Sequence, residues 1–92
     1  MEDGAIINTA AHVDHDCRIG ACAHVGPGSS LAGNVTIETG AFLGVGTCVI
    51  PHRTVGAWST LGAGAVVVAD VPPNVTAVGV PARVSRRMDV QA

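Results

Sequence analysis

The 92-residue chain has no lysine and no tyrosine, and its aromatic side chains are one phenylalanine and one tryptophan. Five arginines against seven acids give a net charge of −2 and a pI near 6.0. That balance leaves no basic stripe for a phosphate backbone to follow, so nucleic acid is not expected as a partner. Long apolar runs are missing too. The longest, Leu61 to Ala69, is nine residues rich in glycine and alanine, too short to cross a bilayer, so no membrane association is expected. The start, Met1-Glu2-Asp3-Gly4, is acidic where a secretory signal is basic, which points to a cytoplasmic protein. Cys17, Cys22 and Cys48 are odd in number and lack metal-ligand spacing, so they are expected to be small fillers in a reducing compartment. Charged residues are only 13% while apolar residues reach 48%, which leaves little polar material to cover a small domain. A partner surface, and hence an oligomer, is the expected remedy.

What the chain does have is repetition. Set out in sixes, the first positions are Ile7, Val13, Ile19, Val25, Leu31, Ile37, Leu43, Val49, Val55, Leu61 and Val67, every one aliphatic. The fifth positions are small or β-branched from Ala11 through Ala65, with Arg53 as the clear break. A period of six fits neither the 3.6 of a helix nor simple alternation, but positions one and five share a face of an extended segment. Short strands joined by corners, three to a turn, make a parallel β-helix. Residues 7–72 therefore predict an all-β prism of about 3.7 coils, counting three hexapeptides to each coil. Glycine at the second position, as in Gly20, Gly26, Gly44, Gly56 and Gly62, is expected to supply torsions that a Cβ would oppose.

Residues 1–6 lead in. Pro72-Pro73 removes two amide donors and is expected to end the array. The remainder, 73–92, predicts one extended segment over 75–84. A basic end with Arg83, Arg86 and Arg87 and a short closing helix or frayed tail complete it.

Chemistry is sought where the repeat departs from itself. One unit replaces its glycine with Asp14-His15-Asp16, and another carries Gly33-Asn34. A carboxylate accepting from one nitrogen of His15 would fix the tautomer and raise the basicity of the other. Neighbours in an extended chain alternate faces, so Asp14 and Asp16 cannot both be assumed to reach the ring; a solvated acidic pair is the plainer reading. His12 and His52 read as corner residues, and Gly33 also reads as a turn glycine.

The hexapeptides together with Val13-Asp14-His15-Asp16-Cys17, His24, Ala32-Gly33-Asn34 and Val78-Gly79-Val80-Pro81-Ala82-Arg83 resemble one family of hexapeptide-repeat acyltransferases. It is the family of the sialic acid O-acetyltransferases and bacillosamine N-acetyltransferases, and the likeness covers roughly residues 5–87. The period of six does not choose a hand; the resemblance implies a left-handed parallel β-helix, a homotrimer, and acetyl-CoA as acyl donor without a metal. It further implies His15 as general base, Asp16 as the acid that orients it, and Gly33 as the amide donor to the acetyl carbonyl. His24 is implied near the thioester, Val45 and Ala63 along the coenzyme A groove with Gly62 and Gly64 keeping its wall low, and Arg83, with Arg86 or Arg87, near the cofactor phosphates. The implied reaction moves an acetyl group directly to an amine or hydroxyl of an amino sugar or nucleotide-sugar acceptor. Members carry an N-terminal βαβ domain that binds the nucleotide-sugar. Here the array begins within a few residues of the start, so the expectation is a prism without that domain, and acceptor specificity is not carried over.

Two other readings stand beside this one. A β-helix of this shape can be a non-catalytic assembly module. A zinc-dependent carbonic anhydrase on the same prism would need neighbouring histidines late in the array, and His52 stands alone.

Overall fold

The structure is a computed structural model and describes residues 4–87. Each hexapeptide forms one two-residue strand and one four-residue corner, and the chain winds as a left-handed parallel β-helix of about four turns. Face one carries β1 (Ile6–Ile7), β4 (His24–Val25), β7 (Phe42–Leu43) and β10 (Thr60–Leu61). Face two carries β2 (His12–Val13), β5 (Ser30–Leu31), β8 (Cys48–Val49) and β11 (Val66–Val67), and face three carries β3 (Arg18–Ile19), β6 (Thr36–Ile37) and β9 (Thr54–Val55). The parallel register advances 18 residues per turn, as in Ile7↔Val25 and Val25↔Leu43.

Each strand ends on the first position of a hexapeptide, whose side chain points into the prism. From Ile19 to Val67 these aliphatics are buried, forming one column; Ile7 and Val13, at the open lower end, are half-buried. At roughly 1.5–3 kcal/mol per buried aliphatic side chain, this column supplies the main stabilising term. Fifth positions point inward as well, and where they carry hydroxyls each finds a carbonyl. Ser29 Oγ donates to Gly44 O at 3.1 Å, Thr47 Oγ1 to the same oxygen at 2.8 Å, and Ser59 Oγ to Pro72 O at 2.6 Å. Arg53, the residue that breaks the fifth-position pattern, turns its guanidinium to the corner. There Nε donates to Val68 O at 3.2 Å and Nη1 to His52 O at 3.1 Å.

The glycines play a different part from the one expected. The left-handed torsion falls on the fourth position, where Ala10, Asp16, Cys22, Gly28, Asn34, Gly40, Gly46, His52, Trp58 and Gly64 all have φ between 58° and 74°. Second-position glycines have no such torsion; they are needed because the next coil lies against them. A Cβ on Gly26 would sit 2.5 Å from Leu43 O, and one on Gly20 would sit 2.7 Å from Thr39 N.

The array also runs further than the proline pair suggested. Val71 bridges to Val55, and β12 (Val75–Val78) then adds a further parallel strand to face one, pairing Thr76 with Thr60, a step of 16 residues rather than 18. Val75 and Ala77 are buried and close the top of the column. Instead of a free basic end, Arg83–Arg87 forms β13, antiparallel to β12. The expected tail beyond residue 87 lies outside the described residues. No helix among the described residues is long and apolar enough to cross a membrane.

Candidate active site

The edge between faces two and three is built from corners 14–17, 32–35, 50–53 and 68–71, and it carries the acid–histidine pair. His15 stands at the third position of its hexapeptide with Asp16, φ 58°, next to it. One carboxylate oxygen of Asp14 takes two bonds. The His15 N–H donates to Oδ1 at 2.7 Å, and the imidazole Nδ1 lies 3.0 Å from the same atom. With Nδ1–H as the donor, Nε2 is left to accept a proton. Both side chains are exposed, at 69% for His15 and 49% for Asp14. The hydrogen bond with Asp14 and then its charge raise the His15 pKa above the usual 6.5; desolvation opposes them, and the charge of Asp16 adds least. The same hydrogen bond holds the Asp14 carboxyl below its ordinary value. Asp14 therefore makes the contact that the resemblance implied for Asp16. Asp16 makes no hydrogen bond to the ring and acts on it through charge alone.

Gly33 lies one coil above His15, and backbone bonds from Asn34 N–H to His15 O and from His52 N–H to Gly33 O, both 3.1 Å, lock the three corners together. A Cβ on Gly33 would be 2.9 Å from both Cε1 and Nε2 of the imidazole, so the ring rests on the bare glycine and covers it. The Gly33 N–H has no acceptor among the described residues. An amide N–H without a partner and an imidazole nitrogen able to accept a proton are thus brought together on one edge.

The remaining predicted residues are elsewhere. Val45 and Ala63 are exposed on the edge between faces one and two, and neither N–H has an acceptor among the described residues. Beside them, a Cβ on Gly28, Gly46 or Gly64 would meet nothing within 4 Å. Two free amide donors, Val45 and Ala63, thus stand one coil apart on an edge that the glycines leave open. His24 sits on face one, half-buried and stacked on Phe42, with ring centroids 4.7 Å apart and planes 13° from parallel. Arg83 is exposed at the top of face one in β13. Face one is the side of the prism opposite the His15 edge. Within one chain, His15 and Gly33 come together while His24, Val45, Ala63 and Arg83 do not join them. Asp14 and Asp16 flank His15 alike in the sequence, and only the fold decides which carboxylate bends back to the ring. Among the described residues no three metal-ligating side chains cluster.

No family model matches the chain. A crystal structure of a histidine-substituted perosamine N-acetyltransferase from Caulobacter crescentus, in complex with CoA and GDP-perosamine, is 58% identical. It matches 88% of this chain and 39% of that one with a TM-score of 0.87. The acetyltransferase domain of PglB from Neisseria gonorrhoeae, in complex with acetyl coenzyme A, is 48% identical over 89% of this chain and 40% of that one, TM-score 0.88. Mitochondrial serine acetyltransferase 3 of Arabidopsis thaliana is 40% identical over 87% of this chain and 25% of its own length. The chain thus spans about two-fifths of those structures and a quarter of that relative. At 48–58% identity to these two solved acetyltransferases, this β-helix belongs to the hexapeptide-repeat acyltransferase family.

Proposed function

We propose that the chain forms the catalytic prism of an acetyl-CoA-dependent acetyltransferase acting on an amine or hydroxyl of an amino sugar or nucleotide-sugar acceptor. The observation that carries this reading is the His15 imidazole, tethered through Nδ1 to Asp14 and resting on Gly33. A thioester is already activated, so transfer needs an acceptor freed of its proton, proximity, and a donor for the oxyanion. Nε2 of His15 takes the proton from the attacking nitrogen or oxygen. The Gly33 N–H meets the thioester carbonyl as negative charge builds there. The tetrahedral adduct then collapses, its C–S bond breaks, and the His15 imidazolium returns the proton so that coenzyme A leaves as the thiol with the acetyl group on the acceptor. Asp16 adds negative charge beside the imidazolium that forms in this step. Val45 and Ala63 offer amides to the pantetheine arm, His24 stands near the thioester, and Arg83 meets the phosphates. The relatives support this assignment through the CoA, acetyl coenzyme A and GDP-perosamine that their structures hold.

The separation of these residues within one chain also favours a homotrimer. The His15 edge and the Val45 edge flank face two, whose outward row is His12, Ser30, Cys48 and Val66. Three prisms ringed about face two set the His15 edge of one copy against the Val45 edge of the next, and each of three such seams holds a complete site. We place the enzyme in the cytoplasm, where acetyl-CoA is at hand.

Thiol release from acetyl-CoA across a panel of amino sugars tests the reading. Wild type releases thiol with an acceptor present and His15→Ala releases about 10² to 10⁴-fold less. No release in either protein would favour the assembly-module reading instead, and equal release in both would overturn His15 as the base.

A further inference from the structure

Asn34 follows Gly33 in the corner one coil above His15, at φ 62° and with its side chain exposed. Glycine holds this torsion without strain, as it does at the same position of the repeat in Gly28, Gly46 and Gly64. An asparagine placed there can offset the strain by bonding its own loop. Asn8 makes a bond of that kind in its corner, where Oδ1 accepts the Thr9 N–H at 2.8 Å. The Asn34 side chain makes no hydrogen bond among the described residues. An amide with two donors and an acceptor is thus held unpartnered beside Gly33, at a torsion that favours glycine.

Its distance from the imidazole is bounded. A Cβ on Gly33 would lie 2.9 Å from Nε2 of His15, and successive Cα atoms are about 3.8 Å apart, so Nε2 stands within about 8 Å of the Asn34 Cα. The asparagine side chain covers part of that span. What is left accommodates one atom bonded to Nε2 and a hydroxyl next to it. Asp16 occupies the same position of the repeat one coil below Asn34, and its charge draws a cationic amine to this edge.

We infer that Asn34 binds the hydroxyl adjacent to the group being acetylated, and so selects acceptors that carry such a neighbour over simple amines. The inference rests on the acetyl transfer proposed above and adds to it a residue that discriminates among acceptors. On a sugar ring an equatorial amine and its equatorial hydroxyl neighbour are staggered and about 2.9 Å apart. With the amine at Nε2, that hydroxyl reaches the Asn34 amide. Oδ1 accepts its hydrogen or Nδ2 donates to its oxygen, so either orientation of the hydroxyl is met. An amine without the neighbour leaves the amide to water.

Asn34→Gly in the full chain tests this, because glycine accepts the torsion and Tm should hold or rise. For an amino sugar with a hydroxyl beside the amine, the substitution should raise KM about tenfold and leave KM for acetyl-CoA unaltered. For the deoxy analogue without that hydroxyl, wild type and Asn34→Gly should give the same kcat/KM. Unaltered kcat/KM for the hydroxylated sugar, or an equal loss for the deoxy analogue, overturns the inference and leaves acetyl transfer standing. A loss that falls on KM for acetyl-CoA overturns it too, since Asn34 then serves the cofactor. Acceptor binding followed by NMR titration separates the inference from the reaction. Tighter binding of the hydroxylated sugar to wild type than to Asn34→Gly, with no acetyl transfer, supports the role of Asn34 and overturns the reaction. Equal binding with no transfer overturns both.

Discussion

Two edges of the same prism, folded from the same six-residue unit, differ in what they carry at the fourth position of the repeat. On the edge between faces one and two the left-handed positions are Gly28, Gly46 and Gly64 above Ala10; the N–H groups of Val45 and Ala63 have no acceptor among the described residues, and that of Thr9 is taken by Asn8 Oδ1. On the edge between faces two and three those positions are Asp16, Asn34 and His52, and the third-position amide of His15 is taken by the Asp14 carboxylate. Asparagine and aspartate tolerate the left-handed region because their short polar side chains bond locally, at a cost glycine does not carry. One edge carries glycine at three of its left-handed positions; the other carries polar side chains there. A β-helix offers every corner the same backbone geometry, so the side chains at corner positions decide what each edge can do.

The sharpest way to break this contrast is to remove the imidazole. His15→Ala should lower kcat about 10² to 10⁴-fold with little change in Tm, because the ring is exposed and buries no core surface. Next is Gly33→Ala. The Gly33 backbone torsion accepts alanine, yet the new methyl would displace the ring, and a shift of about 1 Å costs on the order of 10² in rate. Circular dichroism should show the fold unchanged. On the other edge, Ala63→Phe should fill the open space and raise KM for acetyl-CoA by roughly tenfold, the equivalent of about 1.4 kcal/mol, without moving the pH profile. The smallest effect is expected from Asp14→Asn, a few-fold in kcat at neutral pH.

The pH profile separates Asp14 from Asp16. The base works only when neutral, so kcat/KM should rise with pH through a midpoint above 6.5, since Asp14 holds the proton on His15. Asp14→Asn should bring that midpoint down, and Asp16→Asn should bring it down less. A larger shift from Asp16→Asn would return the orienting role to Asp16.

The sequence alone determined the all-β prism, its strands and its inward column, because a strict period of six with aliphatics at one position has no other compact solution. It also marked Asp14-His15-Asp16 and Gly33 as departures from the repeat, 18 residues apart and hence one coil apart. Three things needed the tertiary structure. The sequence placed its glycines without showing that those at the second position make room for the next coil while the left-handed torsion falls two residues later. It gave no sign of which carboxylate reaches His15, since a bend at φ 58° on Asp16 undoes simple alternation. Nor did it show that the residues proposed for the acceptor's proton and those proposed for coenzyme A stand on different sides of the prism. Periodicity is a property of neighbours along the chain, whereas edges and faces exist only after the chain has closed its turn.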